Sequence, residues 1–95
     1  MQVYIAGKIS GLDYAETYMK FEDAEKKVPG ATTVINPCKI VPEHADWDTA
    51  MDICKSALRK CDAIYLLKDW KESKGAKIEK EIAEEMCIPL LFEVA

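Results

Sequence analysis

Ser73, Gly75 and Glu79 stand in the pattern Ser-x-Gly-x-x-x-Glu, and Glu79 is the most informative residue of the chain. Around it Ile78, Ile82, Ala83 and Met86 recur at helical spacing and share one face, at about 100° per residue. Glu79 projects into the middle of that face, whereas Lys77, Glu81, Glu84 and Glu85 fall on the other side. An ionised carboxylate on a buried stripe is costly unless something pairs with it. Glu79 is therefore a candidate functional acid. The plainer alternative is a carboxylate that tips toward the helix start and meets solvent or a lysine. Ser73 suits the N-cap position before Lys74-Gly75-Ala76. Gly75 would let a ligand approach the backbone, and the free amides with the helix dipole favour an anion there. Lys74 and Lys77 in the first turn oppose that dipole. A bound phosphate would resolve the conflict; solvated lysines on a simply capped helix would tolerate it.

Other candidates follow the ends of apolar runs. Gly7-Lys8-Ile9-Ser10-Gly11 comes after the first run, where backbone contact with a phosphate or sugar is expected, so Gly7, Ile9, Ser10 and Gly11 are candidate ligand contacts. The segment matches neither the dinucleotide G-x-G-x-x-G fingerprint nor a P-loop, and it reads equally as a plain turn. Asn36 either contacts ligand or caps its own turn. Asp69 and Trp70 leave the end of the third apolar run and are placed to contact ligand, whereas Asp62 opens that run and reads as structural. His44, the single histidine, lies in a Pro-flanked segment and reads as an exposed loop residue.

The elements that must position these residues alternate. Val3–Ala6, Thr32–Ile35, Ala63–Leu67 and Pro89–Phe92 are short apolar or β-branched runs, as strands of a parallel sheet require. A helix is expected from Tyr14, with Tyr14, Tyr18, Phe21, Ala24 and Val28 on its apolar stripe and Pro29-Gly30 as its stop. A second helix runs from Trp47 to Cys61 and a third from Lys74 to Met86. Pro37 to Asp46, after the turn pair Asn36-Pro37, and Lys68 to Glu72 read as loops. Strand and helix alternating throughout predict a small α/β, Rossmann-like or flavodoxin-like three-layer domain over residues 1–95, with a four-stranded parallel sheet in the order 2-1-3-4. Ligands bind such sheets beyond the carboxyl ends of the strands, where the order reverses. That rule gathers Gly7–Gly11, Asn36-Pro37 and Asp69–Ser73 around one crevice.

Composition narrows the partners. Thirteen basic against 17 acidic residues give a formal charge of −4, and no stretch concentrates lysine or arginine, which argues against a nucleic-acid polymer. A small anionic ligand needs only a few local donors. Cys38, Cys54, Cys61 and Cys87 show no C-x-x-C pairing, and the last three read as small hydrophobes on helical faces. Structural thiols of a reducing compartment are expected, with neither metal nor organic cofactor. The first residues carry no basic n-region and no long apolar run, so the expectation is a cytoplasmic protein with no signal peptide and no membrane span. A chain this short buries only roughly 60–65 % of its unfolded surface, a thin core that favours a homodimer or higher homo-oligomer.

Tyr4-Ile5-Ala6-Gly7 with Gly11, Val34-Ile35-Asn36-Pro37, Cys61–Leu67, Trp70 and Ser73-x-Gly75-Ala76-x-x-Glu79 together resemble a family of small bacterial and phage proteins, domain of unknown function 4406, in the nucleoside 2-deoxyribosyltransferase-like superfamily. The resemblance implies that Glu79 is the nucleophile that attacks an anomeric carbon to form a covalent glycosyl-enzyme, a role open to a carboxylate beside an oxocarbenium-like centre. Ser73 resembles the phosphate-binding serine of deoxynucleoside monophosphate N-glycosidases, where nucleoside transferases carry aspartate, so the implied substrate is a 5′-monophosphate. Two positions depart from the pattern: Cys54 stands where several relatives carry a base-handling aspartate, and no arginine lies near Ser10. Three functions are carried forward: cleavage or transfer of an N-glycosidic bond of a nucleotide or nucleoside, a non-catalytic nucleotide sensor, and a glycohydrolase of NAD or an ADP-ribose compound.

Overall fold

The computed structural model describes residues 1–28 and 33–94. Its strands are β1 (Gln2–Ala6), β2 (Thr33–Ile35), β3 (Ala63–Leu66) and β4 (Leu90–Phe92), and its helices are α1 (Tyr14–Lys27), α2 (Pro37–Ile40), α3 (Trp47–Leu58) and α4 (Lys74–Glu85). All strand pairs are parallel and the order is β2-β1-β3-β4, as the alternation predicts. β1 is central because Val3, Tyr4, Ile5 and Ala6 are all buried and need cover on both sides. Side chains alternate across the sheet. Val3, Ile5, Ala63, Tyr65 and Leu67 meet Phe21 and Ala24 of α1. Tyr4, Ala6, Ile64 and Leu66 meet Cys54 and Leu58 of α3 and Ala76 and Ala83 of α4. The three layers follow from this division. No helix among the described residues is long and apolar enough to cross a membrane.

Each helix starts with a side-chain cap. Asp13 accepts from the Glu16 amide at 3.1 Å, Asn36 from Cys38 at 2.9 Å, Asp46 from Thr49 at 2.7 Å, and Ser73 from Ala76 at 3.1 Å. Where the expected loop begins at Pro37, the chain instead forms α2. Asn36 is its cap and Pro37 its first residue, a position that needs no N–H and suits the fixed φ of proline. The same Asn-Pro pair serves a turn or a helix start, and tertiary contact decides. A 3₁₀ turn, Trp70–Glu72, likewise replaces part of the second expected loop.

The first helix buries Thr17, Phe21 and Ala24 rather than the full expected stripe. Tyr14 is exposed, and its ring packs on that of Tyr18 at 6.2 Å. The Pro29-Gly30 stop and Thr32 lie outside the described residues. α3 ends at Leu58, short of Cys61, and α4 ends at Glu85, which leaves Met86 exposed beyond the buried face. Cys87 is also exposed, off the helix, with φ at +59°. Its N–H donates to the Glu84 carbonyl at 3.2 Å, while the Ile88 N–H donates to that of Ala83 at 2.8 Å. This paired closure is the Schellman arrangement, whose left-handed position favours glycine.

Cys87 therefore occupies a backbone conformation that costs an L-residue roughly 1–2 kcal/mol. Cys87→Gly should raise stability by about 0.5–1 kcal/mol, net of the added freedom of the unfolded chain. Urea denaturation followed by circular dichroism reads this directly. A variant less stable than the parent chain would show that the Cys87 side chain contributes more than its backbone strain costs.

Candidate active site

Tyr4 is the only oxygen-bearing side chain of the apolar run Val3–Ala6, and a buried phenol must find a partner. It donates to Glu79 Oε2 at 2.5 Å, joining the central strand to the second turn of α4. Glu79 is 5 % exposed, which places its carboxyl within the apolar layer between β1, α3 and α4. Lys77, Glu81, Glu84 and Glu85 are exposed, as the helical spacing predicts. Burial pushes the Glu79 carboxyl up to about 7, against the Tyr4 hydrogen bond and the Lys55 charge, which both favour the ionised form. Burial and then the neighbouring carboxylate hold the Tyr4 phenol well above its ordinary value. Cys54 of α3 adjoins the Tyr4 hydroxyl, and burial raises its thiol to about 11. At neutral pH this cluster therefore consists of a neutral phenol, a neutral thiol and one carboxyl near its midpoint.

Tyr4, Cys54 and Glu79 line a cleft of about 670 Å³ beyond the carboxyl end of β1, within the size range of small-molecule sites. The loop after β1 contributes Gly7, Lys8, Ile9 and Ser10, and the start of α4 contributes Ser73 and Gly75. These are the sequence-predicted residues that the fold brings together with Glu79. Ser73 uses one lone pair on the Ala76 amide, which leaves its O–H to donate elsewhere. The Lys74 and Gly75 amides, in the first turn, lie beyond the reach of any helical carbonyl. At the mouth, the Lys74 ammonium sits 4.9 Å from the ring of Trp47, which is 40 % exposed.

Both glycines of the cleft also have packing reasons. A Cβ on Gly75 would lie 3.1 Å from Met51 Sδ, so this glycine lets α4 approach α3. A Cβ on Gly7 would lie 2.7 Å from Leu67 Cδ1, tighter than packed carbons allow.

Four predicted contacts fall outside the cleft lining. Gly11 takes φ +81° in the turn before α1. Asn36 is buried, caps α2, and donates to Glu25 at 3.0 Å. Asp69 accepts from the Lys8 amide at 3.0 Å and pairs with Lys20 at 2.7 Å, so it braces the loop after β1. Trp70 turns toward β4, its ring 6.2 Å from that of Phe92. Asp62 accepts from the Gln2 amide at 2.8 Å at the opposite end of the sheet, a structural placement, and His44 is exposed. Among the described residues no group of histidine, cysteine and carboxylate side chains is assembled to hold a metal ion.

Sequence reasoning placed Lys8 beside the crevice without counting it a ligand contact, and it missed Tyr4, Met51 and Trp47 as cleft residues. For Tyr4 the signal was present, because a hydroxyl in an otherwise apolar central strand requires a buried acceptor. For Met51 it was absent, since only the packing of α3 against α4 brings it to the cleft.

The sequence matches the family described as Domain of unknown function (DUF4406) over residues 1–92, and the chain belongs to that family. No curated protein and no solved structure matches it.

The raised Glu79 value fixes the sign of a stability effect. The folded chain holds this proton up to about pH 7, whereas an unfolded glutamate releases it near 4.5. Stability from the protonated carboxyl is thus complete below about 4.5 and lost as pH rises through about 7. Glu79→Gln, which keeps an acceptor for Tyr4, should be more stable than the parent at pH 8 by roughly 1–3 kcal/mol. The gain should shrink toward pH 5. Thermal melts of both proteins across that range test it; a variant destabilised at pH 8, or a difference independent of pH, would contradict the assigned environment.

Proposed function

We propose that this chain cleaves or transfers the N-glycosidic bond of a nucleoside 5′-monophosphate or related nucleotide, in the manner of the nucleoside 2-deoxyribosyltransferase-like superfamily. The observation that carries the reading is the Glu79 carboxyl, buried at the floor of the cleft with one oxygen held by Tyr4. The second oxygen is left for the anomeric carbon. As the bond from that carbon to the base nitrogen breaks, a bond to Glu79 Oε1 forms, and the base leaves with the electron pair and takes a proton from water. Water or a second base then attacks the same carbon and returns the carboxylate. The Tyr4 hydrogen bond orients the nucleophile and favours its ionised state. Ser73, with the Lys74 and Gly75 amides, supports a phosphate at the cleft's edge.

A second reading, a nucleotide sensor without turnover, is favoured by Cys54. Its thiol stays protonated near neutrality and supplies no carboxylate to handle a leaving base. Under either reading the chain acts as a homodimer. Exposed Ile9, Leu12, Tyr14 and Trp47 ring the cleft and gain from cover by a second copy. Light scattering should give about twice 10.7 kDa, and a monomer at micromolar concentration would refute it.

Incubation with nucleosides, 5′-monophosphates and NAD, with free base read by chromatography, tests the activity. Base should appear from at least one 5′-monophosphate, and Glu79→Gln should lower turnover by roughly a thousandfold or more while binding persists. Because the nucleophile must be ionised, kcat/KM should rise with pH and level off above about 7. Tyr4→Phe removes a bond that lowers the Glu79 value and should shift that limb to higher pH. Saturable binding with no base release would establish the sensor, and release from NAD alone would move the substrate to that class.

A further inference from the structure

The backbone of Lys8 is held on both sides of its Cα. Its N–H donates to Asp69 Oδ1 at 3.0 Å, and its carbonyl accepts from the Lys20 ammonium at 2.8 Å. Asp69 Oδ2 and Lys20 Nζ close the ring of contacts with an ion pair at 2.7 Å. One loop residue is therefore clamped between a residue of α1 and a residue that follows β3, 49 positions apart. An isolated ion pair at this exposure would add little to stability. Here the same two side chains also take both backbone hydrogen-bonding groups of one loop residue, the N–H of the peptide before its Cα and the carbonyl of the peptide after it, which fixes the course of the loop at Lys8.

The clamp divides the local charges. The Lys20 ammonium is spent on Asp69 and the Lys8 carbonyl. The Lys8 ammonium makes no ion pair among the described residues. Lys8 nevertheless lines the cleft with Ser10 and Glu79, and of the cleft's cations Lys74 is already engaged with the Trp47 ring. An anionic ligand that enters beside the Glu79 carboxylate requires a counter-charge, and Lys8 brings to the cleft lining an ammonium without an ion pair, on a backbone braced by Asp69 and Lys20.

We infer that Lys8 is the residue that recognises the anionic group of the ligand, and that Asp69 and Lys20 are positioning residues that aim it. The inference rests on the nucleotide reading above and deepens it: the ligand is a nucleotide in which the phosphate, not only the base and sugar, is read by a side-chain charge. Asp69 then acts on the ligand through Lys8 and touches no reacting atom.

Calorimetric titration of the full chain with 2′-deoxynucleoside 5′-monophosphates and with the matching nucleosides tests this. Lys8→Met keeps the aliphatic stem and removes the charge. It should weaken monophosphate binding roughly ten- to a hundredfold, the range for a lost hydrogen bond to a charged group. Nucleoside binding and melting temperature should stay unchanged, and Lys8→Arg should restore the monophosphate. Asp69→Asn should give a smaller loss confined to monophosphates. It should also speed hydrogen exchange at the amides of residues 8–11, a measurement that needs no ligand. Lys8→Met with wild-type monophosphate affinity, or with equal losses for nucleoside and monophosphate, would overturn the role of Lys8 and leave the nucleotide reading standing. A parent chain that binds neither ligand class would overturn both. Unchanged exchange in Asp69→Asn would overturn the clamp alone.

Discussion

A carboxyl buried in an apolar layer needs a donor, and in this chain that donor is a phenol on the central strand. The Tyr4–Glu79 hydrogen bond links positions 75 residues apart and lies between the first strand and the last helix. Much of the architecture is arranged around it. Glu79 reaches Tyr4 only if α4 packs closely over the end of β1, and Gly75 permits that approach by leaving room for Met51 of α3. Tyr4 reaches Glu79 only if its strand is central and its side chain faces the α3–α4 layer rather than α1. A slip of one residue in β1 would turn the phenol to the other face. The carboxyl would then remain buried without a donor, at a cost of several kcal/mol.

The two ends of the sheet are finished differently. At the amino end, the Gln2 amide is closed by Asp62, a contact between the starts of adjacent strands. At the carboxyl end the strands stop against polar braces rather than against each other. Asp69 and Lys20 hold the loop after β1, and Glu25 draws on Asn36 and Lys39 after β2. The first brace reaches across from α1 and from the segment after β3, and the second from α1. The cleft is lined by the braced loop after β1, and Gly7 and Gly75 belong to its lining.

This difference explains which features were legible in the sequence. Val3–Ala6 and Ala63–Leu67 are continuous apolar runs, and a run that needs cover on both faces announces a central strand without any knowledge of partners. Their alternation with helical stripes fixes the parallel sheet and hence the end where a ligand enters. Glu79 was legible as an anomaly on its own helix, and Ser73 as a cap, because both signals are local. Tyr4 as the partner of Glu79 was not, since nothing in residues 1–7 refers to residue 79. Asp69 and Trp70 were placed at the correct end of β3, but their directions depend on a 3₁₀ turn and on Lys20 and Phe92. Asn36-Pro37 shows the remaining limit. A turn and a helix start use the same two residues, and what selects the helix is contact with α3 and β1, which lies outside any local window.

The protonation chemistry of the cleft floor is unusually simple as a result. The phenol and the thiol both lie well above neutrality, one held there by burial and the adjacent carboxylate, the other chiefly by burial. Neither ionises near pH 7, so Glu79 alone changes the charge of the cluster there, without a second acid to couple with it. An aspartate at position 54 would change this. Two carboxyls around one phenol would share its single hydrogen, and like charges close together would push one of the two values higher. Cysteine avoids that coupling. It keeps the floor apolar, leaves the Tyr4 hydrogen to Glu79, and makes the ionisation of that one side chain the variable that any ligand bound above it must meet.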